Sequence, residues 1–400
     1  MMRRAIAAAA ACLTTASAFG QSAPAGRPLP VTPPAMDYLV YVGSEGVDQI
    51  SLVRFGPGGA RVDHVIKTGR NPTELVGPHG LGVSPDGKYY FVSTAHGTPY
   101  GSLWRYTTAG DSLRGVVVLG NFPATLQVTP DGAFVYVVNF NLYGDPVPSS
   151  VSVVYADGMQ EVARITTCVM PHGSRFNPQG TKHYSACMMD DMVVEIDTRA
   201  LAIARHFIVT PGHERGEQGA PPHPDHASAG SPPAVSHSDM GGHPMPTLVG
   251  SSAGCSPTWA QPSADGSKLY VACNKSNDVV EIDVRSWAMT RRIPMGDGVY
   301  NLAATHDGRL LIGTNKRNQS VSVVELASGK EVARIATLRK VVHGVAVSPD
   351  DRYAFVSVEG VGSQPGTVEV IDLAARQRVA AVDVGPQAGG IDFWKTQPAH

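Results

Sequence analysis

A turn of the form Ser/Thr-Pro-Asp-Gly recurs through this chain at intervals of about 40 residues, the spacing of a repeat architecture. The copies are Ser84-Pro85-Asp86-Gly87, Thr129-Pro130-Asp131-Gly132, Asn177-Pro178-Gln179-Gly180, Ser263-Ala264-Asp265-Gly266, Thr305-His306-Asp307-Gly308 and Ser348-Pro349-Asp350-Asp351. Proline presets φ for such a turn, aspartate bonds its own backbone, and glycine supplies the positive φ. An alternating strand follows each turn, as in Tyr89 to Thr94, Phe134 to Asn139, Leu269 to Cys273 and Tyr353 to Val358. A third segment rich in Val and Ile comes next: Val193-Val194-Glu195-Ile196-Asp197, Val279-Val280-Glu281-Ile282-Asp283 and Val368-Glu369-Val370-Ile371-Asp372. Period-2 segments at this spacing, with turns between them, define four-stranded blades of an all-β propeller. With 43 Gly and 31 Pro but only 16% charged residues, the composition suits many short strands joined by tight turns.

Six complete units begin near His79, Ala124, His172, Pro257, Tyr300 and His343. Before them, Tyr38 to Lys67 offers three strands without an inner one; after them, Ala388 to Phe393 offers one inner strand alone. Together the fragments predict a seventh blade that joins the chain ends and leaves no open sheet edge. The expected organisation is a signal segment at 1–18, a Pro-rich leader at 19–36, and a seven-bladed propeller over 37–396 with an insert at 211–254.

The pattern resembles the YVTN-repeat propellers, which are exported and similar to lactonase-type propellers. Tyr136-Val137-Val138-Asn139 and Tyr270-Val271-Ala272-Cys273-Asn274 carry the resemblance, each after its Asp-Gly turn. It implies a fold, because a propeller is a scaffold that hosts many activities.

The N-terminus points to export. Met1-Met2-Arg3-Arg4 is a short basic region, Ala5 to Leu13 is apolar, and Ala16-Ser17-Ala18 is a small-residue cleavage site. A periplasmic or secreted location follows. No later stretch is apolar for long enough to span a bilayer. A formal net charge of −2 gives no reason to expect nucleic acid as a partner.

Histidines gather at one end of the predicted channel. Three inner strands begin Pro78-His79-Gly80, Pro171-His172-Gly173 and Val342-His343-Gly344, and second strands end on the same face with His96 and Glu359. Imidazoles suit zinc and copper, so His79, His96, His172, His343 and Glu359 form a candidate metal set. The alternative is that each histidine bonds the carbonyl of a neighbouring blade. The insert opens on the same face. Its His223, His226, His237, Met240, His243 and Met245 are candidates for accessory metal capture, and methionine beside histidine tilts toward copper.

After the signal four cysteines remain. Cys168 and Cys255 each precede an inner strand, while Cys187 and Cys273 end the second strand of the same blade. Two intrablade disulfides are expected, with a copper-binding thiolate site beside Met188 and Met189 as the alternative.

The leading expectation is a periplasmic copper protein, with zinc or haem as alternative cofactors and a small molecule or protein as partner at the mouth. The histidine placement resembles that in the copper domains of nitrous oxide reductase and thiocyanate dehydrogenase; a haem site would resemble dissimilatory nitrite reductase. Two further readings are a non-catalytic binding propeller and a lactonase-like hydrolase in which a metal polarises the ester.

Overall fold

The computed structural model describes residues 31–69, 71, 73–96, 100–222 and 254–399. The expected signal at 1–18, most of the leader, and the insert residues His223, His226, His237, Met240, His243 and Met245 lie outside the described residues.

Seven antiparallel sheets form the ring, six of four strands and one of five. The first blade is shared between the chain ends. Ala388–Pro398 pairs with Met36–Ser44, which continues to Gln49–Gly56 and Gly59–Lys67. Tyr41 stands opposite Asp392 and Val42 opposite Ile391. The inner strands of blades two to seven are Pro78–Val83, Pro123–Val128, Pro171–Phe176, Pro257–Pro262, Val299–Ala304 and Val342–Val347. The seven-bladed ring and its closure are as the repeat count requires.

Each blade is covered on both faces by its neighbours, so its strands bury both sides. Val53 and Phe55 of blade one pack with Tyr353, Phe355 and Val370 of blade seven in one such layer. On the turn face the repeated residues bond locally. The Thr129 hydroxyl donates to Asp131, and the Phe134 amide donates back to that hydroxyl. Ser84, Ser263, Thr305 and Ser348 make the same pair of bonds in their own blades.

Toward the axis each blade presents a free sheet edge, whose carbonyls need donors. In five blades a hydroxyl from the preceding blade supplies one. Ser93 donates to Ala124, Thr125 to His172, Thr258 to Tyr300, Thr314 to His343 and Ser357 to Gly389. These bonds stitch blade to blade around the channel.

Blade four differs from expectation. The segment from Pro211, read as the start of an irregular connection, first folds back as a fifth strand. Arg215–Gln218 pairs with Ala202–Ile208, with Glu217 opposite His206. Arg-Gly-Glu-Gln has no apolar alternation because this strand is the exposed outer edge. At the far end of the insert, the buried Asp191 carboxylate accepts the amides of Gly254, Cys255 and Ser256 and anchors the return into blade five. Both expected disulfides are present, Cys168 to Cys187 and Cys255 to Cys273.

Candidate functional site

One backbone device, repeated in every blade, builds the channel mouth. The residue before each inner strand has a positive φ: Gly77, Phe122, Met170, Ser256, Gly298, Val341 and Gln387. The pairing register then slips within the first residues of the strand. Pro78 faces Thr94, but Leu81 faces Val92; the same slip occurs in all the other blades. Bulges re-aim side chains. The re-aimed residues, from blade one to seven, are Gly389, His79, Ala124, His172, Thr258, Tyr300 and His343. Beside them stand the residues that follow the second strands: Glu45, Ala95, Phe140, Met188, Asn274, Lys316 and Glu359.

The rings pack edge to face or tilted. His79 and His343 have centroids 5.5 Å apart, His343 and Tyr300 4.9 Å, and Tyr300 and His172 5.1 Å. His172 and Phe140 follow at 4.8 Å, Phe140 and Phe122 at 5.8 Å, and Phe122 returns to His79 at 5.4 Å. The result is a closed collar of six aromatic rings around the axis. Its character is lopsided. Ala95, Ala124, Phe140, Met170 and Met188 make an apolar cluster on blades two to four. Charge concentrates on the side of blades six, seven, one and two.

The three repeated histidines have diverged. His172 is buried and both nitrogens are engaged: Nδ1 donates to the Thr258 carbonyl at 2.8 Å, and Nε2 accepts from the Tyr300 hydroxyl at 2.8 Å. It does for Thr258 what a hydroxyl does in other blades, as the carbonyl-bonding alternative foresaw. Burial holds its pKa down at about 3, so it is a neutral structural donor. His79 donates through Nδ1 to Glu45 at 2.7 Å, and its Nε2 is buried without a partner among the described residues. His343 has Nε2 3.8 Å from Glu359, and its Nδ1 is likewise buried and unpartnered. Burial, and then the charge of Lys316, hold His343 neutral. Between these two blades the collar position is Gly389, where an added Cβ would lie 3.8 Å from His343 Nδ1.

Glu45 is the hinge of the charged side. It accepts from His79 on one oxygen and from His96 on the other, each at 2.7 Å. Burial alone would raise its pKa, but the two imidazoles outweigh burial and hold the carboxyl well below the usual range. Burial opposes charge on His96 too, yet its bond to Glu45 leaves its pKa raised. Lys316 lies 2.9 Å from Glu359 and 4.2 Å above the Tyr300 ring. Burial would neutralise this ammonium, but Glu359 and Tyr300 keep it charged.

The structure therefore brings His79, His96, His343 and Glu359 to one mouth, and places His172 beside them with no free nitrogen. Among the described residues no group of three or more His, Cys, Asp or Glu is arranged to hold a metal ion. Two nitrogens, His79 Nε2 and His343 Nδ1, are the donors left over. Sequence reasoning missed Glu45, Tyr300 as a collar member, and Lys316. The missing signal was register: Glu45 follows the second strand of blade one as Glu359 follows that of blade seven.

The class this defines is a disulfide-bonded seven-bladed propeller with a charged, aromatic-collared axial mouth. No protein-family model matches the chain, and neither does any curated protein. Solved structures are similar in fold. The periplasmic gluconolactonase of Pseudomonas aeruginosa superposes with TM-score 0.63 at 19% identity, over 90% of this chain and 99% of its own. A putative 6-phosphogluconolactonase of Bacteroides uniformis gives 0.63 at 14%, over 89% and 99%. Hydrazine synthase of Kuenenia stuttgartiensis gives 0.58 at 21%, over 80% and 91%. The structural neighbours thus include lactonase propellers, and at these identities the likeness is one of fold.

Proposed function

We propose that this chain is an exported hydrolase of cyclic esters, working at the collar with Glu45 and His79 as its acid–base pair. The observation that carries this reading is the Glu45–His79 contact. A carboxylate that accepts Nδ1–H fixes the tautomer and leaves the Nε2 lone pair free, which is how a histidine is held as a general base. That Nε2 has no other partner among the described residues.

In the proposed reaction Nε2 of His79 takes a proton from water as the water oxygen bonds to the lactone carbonyl carbon. Glu45 stabilises the imidazolium. The ring C–O bond then breaks, and His79 returns the proton to the departing alkoxide, giving a hydroxy acid. Lys316 supplies the positive charge for the oxyanion. Tyr300, fixed by its bond to His172, supports that ammonium from below. Lactonase structural neighbours, two disulfides and the secretory layout of residues 1–18 agree with an extracytoplasmic hydrolase in the YVTN style.

The test is base consumption on adding glucono-δ-lactone or dihydrocoumarin to the mature protein. Hydrolysis above the spontaneous rate is expected, and His79→Ala should lose about 10²- to 10⁴-fold, the range for removing a general base. No rate above background with either ester would overturn the reading and leave a non-catalytic binding propeller.

A second reading rests on the paired unpartnered nitrogens. His79 Nε2 and His343 Nδ1 would hold copper, or zinc, as two neutral imidazoles, with the insert histidines and methionines as capture groups. Bound copper would supply redox chemistry, while Glu45 orients His79 and Glu359 lies beside His343. Copper retained by wild type but not by a His79→Ala/His343→Ala double variant would support it. Full lactone hydrolysis after chelation, with no metal bound, would dismiss it.

A further inference from the structure

Below the collar, three residues farther along each inner strand, a second ring of positions lines the axis: Asp392, Gly82, Gln127, Arg175, Gln261, Ala303 and Ala346, from blade one to seven. Four are polar and three are small. Gln127, Arg175, Gln261 and Asp392 each stay partly exposed although they sit at the centre of the ring. Water-sized space therefore reaches them.

Arg175 is the unusual member. Its guanidinium lies 4.4 Å over the Trp259 ring, and among the described residues its one hydrogen bond runs from Nη1 to the Ser174 carbonyl. No carboxylate stands within ion-pair distance of it among the described residues, so most of its donors are unspent. The Trp259 indole N–H is also buried without an acceptor among the described residues. Gln127 spends its oxygen on the Phe176 amide at 2.6 Å, which fixes the amide orientation and leaves the NH₂ for the channel. Cations inside a fold are normally paired with an anion; among the described residues this one faces an aromatic ring instead.

Its natural counter-charge is three blades away. Asp392 accepts the amides of Val83 and Phe393, one on each oxygen, which leaves a lone pair free on both. Arg175 and Asp392 attract each other across the channel without touching. A ligand that fits this pair carries an oxyanion at one end and a hydrogen-bond donor at the other.

We infer that the axial channel at Arg175 and Asp392 is a second binding site, which takes a small hydroxy acid. The carboxylate sits on Arg175, with the Gln127 amide and the Trp259 N–H as further donors, and a hydroxyl donates to Asp392. Asp392 lies deep, and burial raises its carboxyl above the usual range. The inference does not rest on the hydrolase reading, although the hydroxy acid that reaction releases has this chemistry.

The experiment is calorimetric titration of the mature protein with gluconate, lactate and 4-hydroxybutanoate, with hexanoate as a carboxylate lacking the hydroxyl, at matched ionic strength. At least one hydroxy acid should bind with unit stoichiometry and more tightly than hexanoate. Arg175→Met, which keeps the bulk over Trp259, should weaken binding at least 10-fold. Asp392→Asn should bring the hydroxy acid down toward hexanoate. His79→Ala should bind as wild type does, so loss of hydrolysis and loss of this site are read separately. Binding by none of the three hydroxy acids overturns the inference, and so does undiminished binding in Arg175→Met. Should Arg175→Met fail to fold, Gln127→Leu stands in, and unchanged affinity there is equally fatal.

Discussion

The turn face and the mouth face of this ring are made from the same repeat, yet they hold themselves together differently. On the turn face the repeated bonds are local, a hydroxyl at the start of a turn bonding the aspartate two residues on. On the mouth face partners come from different blades: Glu45 of blade one holds His79 and His96 of blade two, and Tyr300 of blade six holds His172 of blade four. Where symmetry is kept, the residues stabilise the scaffold. Where it is broken, nitrogens and charges are left without structural partners, and there chemistry has room.

The sharpest way to break this comparison is to remove charge from the mouth and find that only stability changes. Lys316→Met should lower lactone hydrolysis by about 10²- to 10³-fold, the effect of losing one oxyanion donor. Thermal melting should move far less, because Glu359 sits at the rim and regains water. A variant that melts early but hydrolyses at the wild-type rate would show the mouth to be structural too.

Next in size is Asp191→Ala, at the root of the insert. Its carboxylate gathers three successive amides, so truncation strands one buried and two part-buried donors at once. A loss of about 2–3 kcal/mol by denaturant unfolding is expected, with both disulfides intact to limit the damage.

Blade four's His183 sharpens the comparison from the scaffold side. It is wedged between Tyr136 at 4.9 Å and Phe176 at 4.8 Å, with neither nitrogen bonded among the described residues. Burial lowers its pKa from 6.5 to about 3. In the unfolded chain it takes up a proton below about pH 6.5, while in the folded chain it does not until about pH 3. Its neutral form therefore favours folding above pH 6.5, and that advantage fades as pH falls toward 3. His183→Phe should flatten unfolding free energy against pH in that window by up to roughly 1.4 kcal/mol per pH unit. An unchanged slope would mean the imidazole is already charged in the fold.

The same division explains what was legible in the sequence. Ser-Pro-Asp-Gly turns and Val-Ile strands are periodic, so blade count, ring closure and the cysteine pairs could be read by counting. His79, His172 and His343 could be placed on one face for the same reason. Their different fates could not, because each depends on a residue from another blade: Glu45, Tyr300 or Glu359. Glu45 lies in the short turn Glu45–Val47, outside any complete repeat. Lys316 looks like any other surface lysine until the ring of blades sets it over Tyr300. The fifth strand of blade four was hidden for a plainer reason, since an exposed edge strand needs no apolar alternation.

The smallest expected effect tests the symmetric side. In blade three Asp131 accepts from the Thr129 hydroxyl and from the Ala133 amide, all within one exposed turn. Those bonds hold its carboxyl below the usual range, the Thr129 hydroxyl contributing most. Asp131→Ala removes a local cap whose donors regain water, so about 1 kcal/mol of stability should go, as for a lost helix or turn cap. Nothing in that turn reaches the axis, and hydrolysis should stay within twofold of wild type. The counterpart at blade seven, Asp350, also accepts from Tyr38 of blade one at 2.7 Å, so Asp350→Ala should cost more than Asp131→Ala. Equal losses would mean that this bond across the ring closure contributes nothing, and that the seam between the chain ends rests on strand pairing alone.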